Sequence, residues 1–88
     1  MKITVQNMLS SNGNMVPNQF IIETKDGRYF QSYRTIIAKV VKGKTFLDKN
    51  YWDYSKTTGK YRNNFLGGTK KETEQKIKSG EYKLKNLN

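Results

Sequence analysis

The sequence contains no cysteine and no histidine. The first absence excludes disulfide staples and thiolate metal sites. The second removes imidazole ligands and the commonest general base, so neither a zinc centre nor His-dependent catalysis is open to this chain. No apolar run approaches the roughly 18 residues needed to cross a bilayer. The opening Met1-Lys2-Ile3-Thr4-Val5-Gln6 also lacks the apolar block of a signal peptide. The expectation is a soluble, cytoplasmic, non-enzymatic protein with no metal, no cofactor and no membrane partner. A length of 88 residues leaves room for one domain over 1–88, because a second could not bury a core of its own.

Acid is scarce as well. Seventeen Lys and Arg face seven Asp and Glu, a net charge of +10, and such an excess favours polyanionic partners. The charge is not a detachable tail, since each half of the chain contributes +5. Lys56, Lys60, Arg62, Lys70 and Lys71 fall within one stretch that contains no acid, which makes it the first place to seek a phosphate contact. Eleven aromatic residues make a small aromatic core feasible.

Alternation and turn residues dominate the first fifty positions. Residues 2–6 read as a strand with Ile3 and Val5 on one face, followed by the polar loop Ser10-Ser11-Asn12-Gly13-Asn14 that Pro17-Asn18 closes. Residues 19–24 and 28–33 form a hairpin about Lys25-Asp26-Gly27, with Gly27 expected at positive φ. In it Tyr29, Gln31 and Tyr33 share one face and Phe30 takes the other. Residues 35–41 are β-branched and apolar; two helical turns would fit there, but the Lys42-Gly43-Lys44 turn that follows favours a strand paired with residues 45–48.

The pattern then changes. Tyr51-Trp52-Asp53-Tyr54 is expected to anchor the core, and Ser55, Thr57 and Thr58 are candidate N-caps for a helix over 60–66 that Gly67-Gly68 ends. Thr69 and Glu72 have capping-box spacing for a second helix over 70–78, whose one apolar residue, Ile77, implies a largely solvated element. Ser79-Gly80 stops it, and residues 81–87 alternate as a last strand. The fold class is thus α+β: a small, mainly antiparallel sheet of about five or six strands with two short helices in the C-terminal half.

Catalytic motifs are weak. Glu23-Thr24-Lys25 followed by Asp26 resembles a nuclease fragment, yet a metal site would have to borrow Asp48 or Asp53 from across the fold. Thr57-Thr58-Gly59-Lys60 shares only its Gly-Lys pair with a phosphate loop. Two binding candidates stand out. If Thr57, Thr58 and Gly59 open a helix, their amides form an anion site reinforced by Lys56, Lys60 and Arg62. The plainer alternative is that Trp52, Tyr54, Tyr61 and Phe65 are core and the lysines a solvated face. Tyr29, Gln31, Tyr33 and Arg34 form the second candidate, because aromatic and amide side chains on an exposed sheet face stack on unpaired bases. Alternatively, the tyrosines cover the core with wet hydroxyls. Lys39, Lys42 and Lys44 about Gly43 either contact a backbone or guard a sheet edge.

The segment from Tyr51-Trp52-Asp53-Tyr54-Ser55-Lys56-Thr57-Thr58-Gly59-Lys60 to Tyr61-Arg62-Asn63-Asn64-Phe65-Leu66, with Asn18-Gln19-Phe20-Ile21-Ile22 and Tyr29-Phe30-Gln31-Ser32-Tyr33 before it, resembles a family of small uncharacterised bacteriophage proteins. The resemblance covers residues 18–82 and carries no activity. It implies an accessory product made inside an infected or lysogenic bacterial cell. Two readings follow. The first is nucleic-acid binding, DNA or RNA, through Lys56, Lys60, Arg62, Lys70 and Lys71, with Tyr29, Tyr33 and Arg34 as secondary contacts. The alternative is an anti-defence, anti-CRISPR or host-takeover inhibitor that binds a host protein machine; its basic charge argues against DNA mimicry. A virion structural role would need a self-association stripe, and the sequence has no heptads to supply one.

Overall fold

The computed structural model describes residues 3–88, so Lys2, expected in the first strand, lies outside the described residues. The chain runs β1 (Thr4–Leu9), β2 (Met15–Glu23), β3 (Gly27–Ser32), β4 (Thr35–Val41), β5 (Lys44–Asp48), α1 (Lys56–Leu66), α2 (Lys70–Ser79) and β6 (Tyr82–Lys85). The six strands form one sheet in sequence order. Neighbours are antiparallel except β5 and β6, which pair in parallel. A parallel partner needs a long crossover, and α1 with α2 provides it. The α+β class and the two C-terminal-half helices are as the sequence predicts.

The first strand lies further along than its alternation suggests, and it buries Met8 rather than Ile3 or Val5, both of which are exposed. The second begins earlier and includes Pro17. Its pairing with β1 shifts between Asn7 and Leu9, opposite the stretch that holds Pro17 and Asn18, the latter at φ +66°. Proline has no N–H for the ladder, so it is accommodated where the ladder is already interrupted.

Each turn has its own physical basis. Lys42 and Gly43 both have positive φ, at +52° and +77°, the geometry of a tight hairpin turn. Gly27, expected at positive φ, is not in that region; its constraint is steric. A Cβ there would run into the Val40 carbonyl oxygen and approach Val41 Cγ2 to 2.8 Å, so β3 and β4 meet closely only because position 27 has no side chain.

Both helices lie on one face of the sheet. Phe65 of α1 stacks on Phe30 of β3 with ring centroids 5.9 Å apart, and the Thr58 and Ser32 hydroxyls share a hydrogen bond of 2.9 Å. Lys76 of α2 sits over the Tyr82 ring. The enclosed core is Met8, Phe30, Ile37, Ala38, Leu47, Tyr61 and Tyr82. Strict alternation would turn either Ile37 or Ala38 outward. A bulge pairs Phe30 with Ala38 and Gln31 with Ile36, leaves Ile37 unpaired, and lets both enter the core.

Helix α1 starts earlier than residue 60, because Ser55 is its N-cap: Oγ accepts from the Thr58 amide at 3.1 Å. Gly67, at φ +79°, closes it. The capping box of α2 forms as the spacing predicts, with Thr69 and Glu72 bonding reciprocally. Thr73 joins Ile77 in attaching that helix to the sheet.

The expectation that residues 51–54 anchor the core is corrected. Trp52 alone packs against it, while Tyr51 and Tyr54 are exposed. The reason is Asp48. Its carboxylate accepts from the Asn50 and Tyr51 amides and its carbonyl from the Trp52 amide, so the chain folds back after β5 with the two tyrosines outward.

Candidate nucleic-acid interface

Of the basic cluster predicted between residues 56 and 71, Lys56, Lys60 and Lys71 are exposed. Arg62 is not available for contact: it is 1% exposed. Its Nη1 donates to the Trp52 carbonyl at 2.7 Å and its Nη2 to Asn63 Oδ1 at 3.0 Å, while the guanidinium lies over the Trp52 indole. Arg62 is therefore part of the packing, which corrects its expected role as a surface phosphate ligand. The sequence signal that would have found it is weak: an Arg on the same helix face as Thr58, one turn before, which is also buried.

The stretch free of acid along the chain is not free of acid in space. Asp53 enters it from the preceding loop, 3.4 Å from Arg62 Nη1 and 2.8 Å from Lys70 Nζ. Partial burial pushes the Asp53 carboxyl upward, but the Lys70 bond and charge, with Arg62 behind them, hold it below the usual carboxylate range. Asp53 in turn raises Lys70 above an ordinary lysine. Lys70 is thus an ion-paired residue rather than a free cation. The amides of the first turn of α1 are partly used as well, since Ser55 takes that of Thr58.

The second candidate divides. Tyr29 lies on the sheet face opposite the helices, whereas Tyr33 and Arg34 form the β3–β4 turn and line a cavity at the sheet's end. Gln31 ties the two regions together by donating from Nε2 to the Tyr33 carbonyl at 2.7 Å.

The sheet face away from the helices is the largest feature that sequence reasoning undervalued. Register places Val5, Ile22, Tyr29, Lys39, Phe46 and Lys83 in one row across all six strands. Phe20, Gln31 and Ile36 form the neighbouring row. None of these residues is fully buried. Phe46 is flanked by cations, with Lys39 Nζ 5.4 Å and Lys85 Nζ 4.7 Å from its ring centroid. By alternation Asp48 also belongs to this face, but it is buried and its carboxylate is turned into the amides of Asn50, Tyr51 and Leu87 and the Asn88 side chain. Among the described residues the outward strand positions accordingly combine aromatic rings and lysines, and their one acid, Asp48, is buried. The missed signal was present in the hairpins: once Phe30 and Ile21 point to the core, Tyr29, Phe20 and Ile22 must point away.

The end cavity has a volume of about 840 Å³. Tyr33, Tyr51 and Tyr54 surround it with Arg34, above hydroxyls of Ser32, Ser55 and Thr58. The Tyr51 and Tyr54 rings stand 5.7 Å apart and tilted. Among the described residues Arg34 makes no ion pair, and no carboxylate lines the cavity.

The carboxylates of the nuclease-like reading are not brought together. Glu23 pairs across the hairpin with Arg28 at 3.8 Å, and Asp48 and Asp53 are engaged as described. Among the described residues no three potential metal-ligating side chains cluster, and no helix is long and apolar enough to cross a membrane.

Residues 3–81 match a family described as a family of unknown function (DUF8033), and the chain belongs to that family. No curated protein and no solved structure matches the chain significantly.

Proposed function

We propose that this family member binds single-stranded nucleic acid on its open sheet face, without catalysing a reaction. The observation that carries the reading is the row Tyr29, Lys39, Phe46, Lys83, left uncovered by the helices and free of accessible acid. Bases stack on the aromatic rings, because every base has a π-face, while the lysines meet the phosphates between them. A duplex keeps its bases stacked inside and cannot use the rings. Exposed Lys56, Lys60 and Lys71 on the helix side add to the attractive field. The net charge of +10 draws any polyanion to the surface, and the aromatics then select strands with free bases.

The test is fluorescence anisotropy of labelled single-stranded DNA, single-stranded RNA and duplex DNA over a salt series. The expected result is micromolar affinity for at least one single-stranded polymer near physiological salt, with affinity falling steeply as salt rises and duplex weaker throughout. Duplex binding equal to or tighter than single-stranded binding overturns the sheet-face reading. So does binding of all three that vanishes at physiological salt.

A second reading, direct binding of a host protein, is favoured by the apolar residues exposed along β1 and the start of β2: Ile3, Val5, Leu9 and Met15. A partner captured from bacterial lysate that survives nuclease digestion and moderate salt supports it, and loss of every partner on digestion counts against it.

A further inference from the structure

We propose that the cavity framed by Tyr33, Arg34, Tyr51 and Tyr54 is a separate site for a nucleoside phosphate, with the base against the tyrosines and the phosphate on Arg34. The site is distinct from the open sheet face and does not depend on strand binding there.

The cavity's volume of about 840 Å³ lies within the range of small-molecule sites, about 300–1,000 Å³. Three of the chain's six tyrosines line it. Their exposure is 54% for Tyr33, 38% for Tyr51 and 69% for Tyr54, whereas Tyr61 and Tyr82 are buried. The three rings therefore contribute little to the core, and they converge on one opening.

Tyr33 is the most informative of them. Its φ is +58°, in the left-handed region where a bulky side chain is disfavoured and glycine is at ease. The two-residue β3–β4 turn requires that backbone, as the β4–β5 turn does at Lys42. Glycine would meet the requirement, and the Tyr33 ring, more than half exposed, adds little packing; it stands at the mouth of the cavity.

Arg34 follows directly and has no carboxylate partner among the described residues. A guanidinium without a partner among the described residues, beside a cavity that no acid lines, suits an anion that offers two oxygens to its fork, as a phosphate does. Beneath the rings the lining is polar: Ser32 and Thr58, both buried, share a hydrogen bond of 2.9 Å, and exposed Ser55 donates to Thr58 Oγ1 at 3.2 Å. Inorganic phosphate would use Arg34 and leave the rings idle, and a neutral aromatic would leave Arg34 unpaired. A nucleoside phosphate uses both, whether it is a free nucleotide or the phosphorylated end of a strand.

The experiment is an amide NMR titration of the full chain with AMP, UMP, adenosine and inorganic phosphate. The nucleotides are expected to shift resonances at residues 33–35 and 51–58 and to leave those of Phe20, Tyr29 and Phe46 unmoved. Adenosine and phosphate alone are each expected to bind about tenfold more weakly or worse, one charge-assisted bond pair being worth about that factor. Arg34→Gln is expected to cost about fivefold or more toward AMP and to erase its advantage over adenosine. Tyr33→Gly relieves the backbone, so it raises Tm while weakening AMP about fivefold or more.

No shifts at about 10 mM nucleotide overturn the proposal, being weaker than any useful site; equal binding of AMP and adenosine, or a Tyr33→Gly protein that gains Tm and keeps its affinity, does the same. Comparing a 5′-phosphorylated with a 5′-hydroxyl oligonucleotide identifies the source. An Arg34-dependent gain for the phosphorylated strand supports a strand end, and no gain while AMP still binds supports the free nucleotide. Phe46→Ala separates the two sites: it weakens strand binding on the open face and leaves AMP unchanged.

Discussion

Arg62 donates through Nη1 to the Trp52 carbonyl oxygen at 2.7 Å, and its guanidinium also lies 5.3 Å over the indole of that residue. One side chain thereby holds the loop between β5 and α1 against the helix by a bond and a stacked face together. Arg62→Ala leaves the carbonyl without its donor and opens a void beside Trp52, so we expect a loss of about 2–4 kcal/mol in urea unfolding. Arg62→Lys is expected to recover little of it, because an ammonium cannot lie flat on the indole and bond at its edge. Lys60→Ala, at an exposed position, is expected within about 0.5 kcal/mol of the parent protein.

Acid destabilises this fold through Asp48. Burial alone would raise its carboxyl, but the Leu87 and Asn50 amides, the Asn88 side chain and the Tyr51 amide outweigh burial and hold it below the usual range. A carboxyl with a lower value folded than unfolded contributes stability that is complete above the unfolded value, about 3.9. That contribution is lost as pH falls through the lower folded value. Urea midpoints measured from neutral pH downward should hold until about pH 4 and then drop. Asp48→Asn should be less stable at neutral pH and show a shallower acid limb. Part of that limb remains, because Asp53 titrates in the same direction.

Gln19 sits beneath α1, fully buried, with neither amide atom of its side chain meeting a partner among the described residues. An unpaired buried amide costs about 1–3 kcal/mol. Gln19→Met keeps the length and removes the polar atoms, so we expect Tm to rise with about 1 kcal/mol of added stability. An unchanged or lower Tm would show that the amide is satisfied in solution.

On the open face, Tyr29→Ala and Phe46→Ala should each weaken single-stranded binding by about 1–3 kcal/mol, the worth of one stacked base, and leave the salt slope unaltered. Lys39→Ala should do the reverse, lowering the slope by about one and weakening all sequences alike. Anisotropy on the same labelled strand reads both. A slope that falls for Phe46→Ala would mean that its flanking lysines, not its ring, make the contact.

What the sequence makes legible here is what neighbours along the chain decide. The Lys42-Gly43 turn, the Thr69–Glu72 capping box and the placing of Tyr29 and Phe30 on opposite faces all depend on residues within one or two turns of each other, and all are found in the fold. The fate of Arg62 depends on Trp52 across a loop, and the neutralisation of Lys70 depends on Asp53. Neither follows from charge counted along a window. Nor does the open face: alternation states which side chains share a side, but only the packing of Phe65 on Phe30 determines which side the helices cover.

The parallel pairing of β6 with β5 also sets an order of assembly. The first five strands are joined by short hairpins and can form as each leaves the ribosome, whereas β6 must wait for both helices. Until then the nascent meander is bare on both sides, with Phe30, Ile37 and Leu47 as open to water as Phe20 and Phe46. The second half of the chain acts on the first as an intramolecular chaperone would, roofing one side and leaving the other. Before the helices pack, the +5 carried by the first fifty residues sets like charge against like wherever two such uncovered sheets approach.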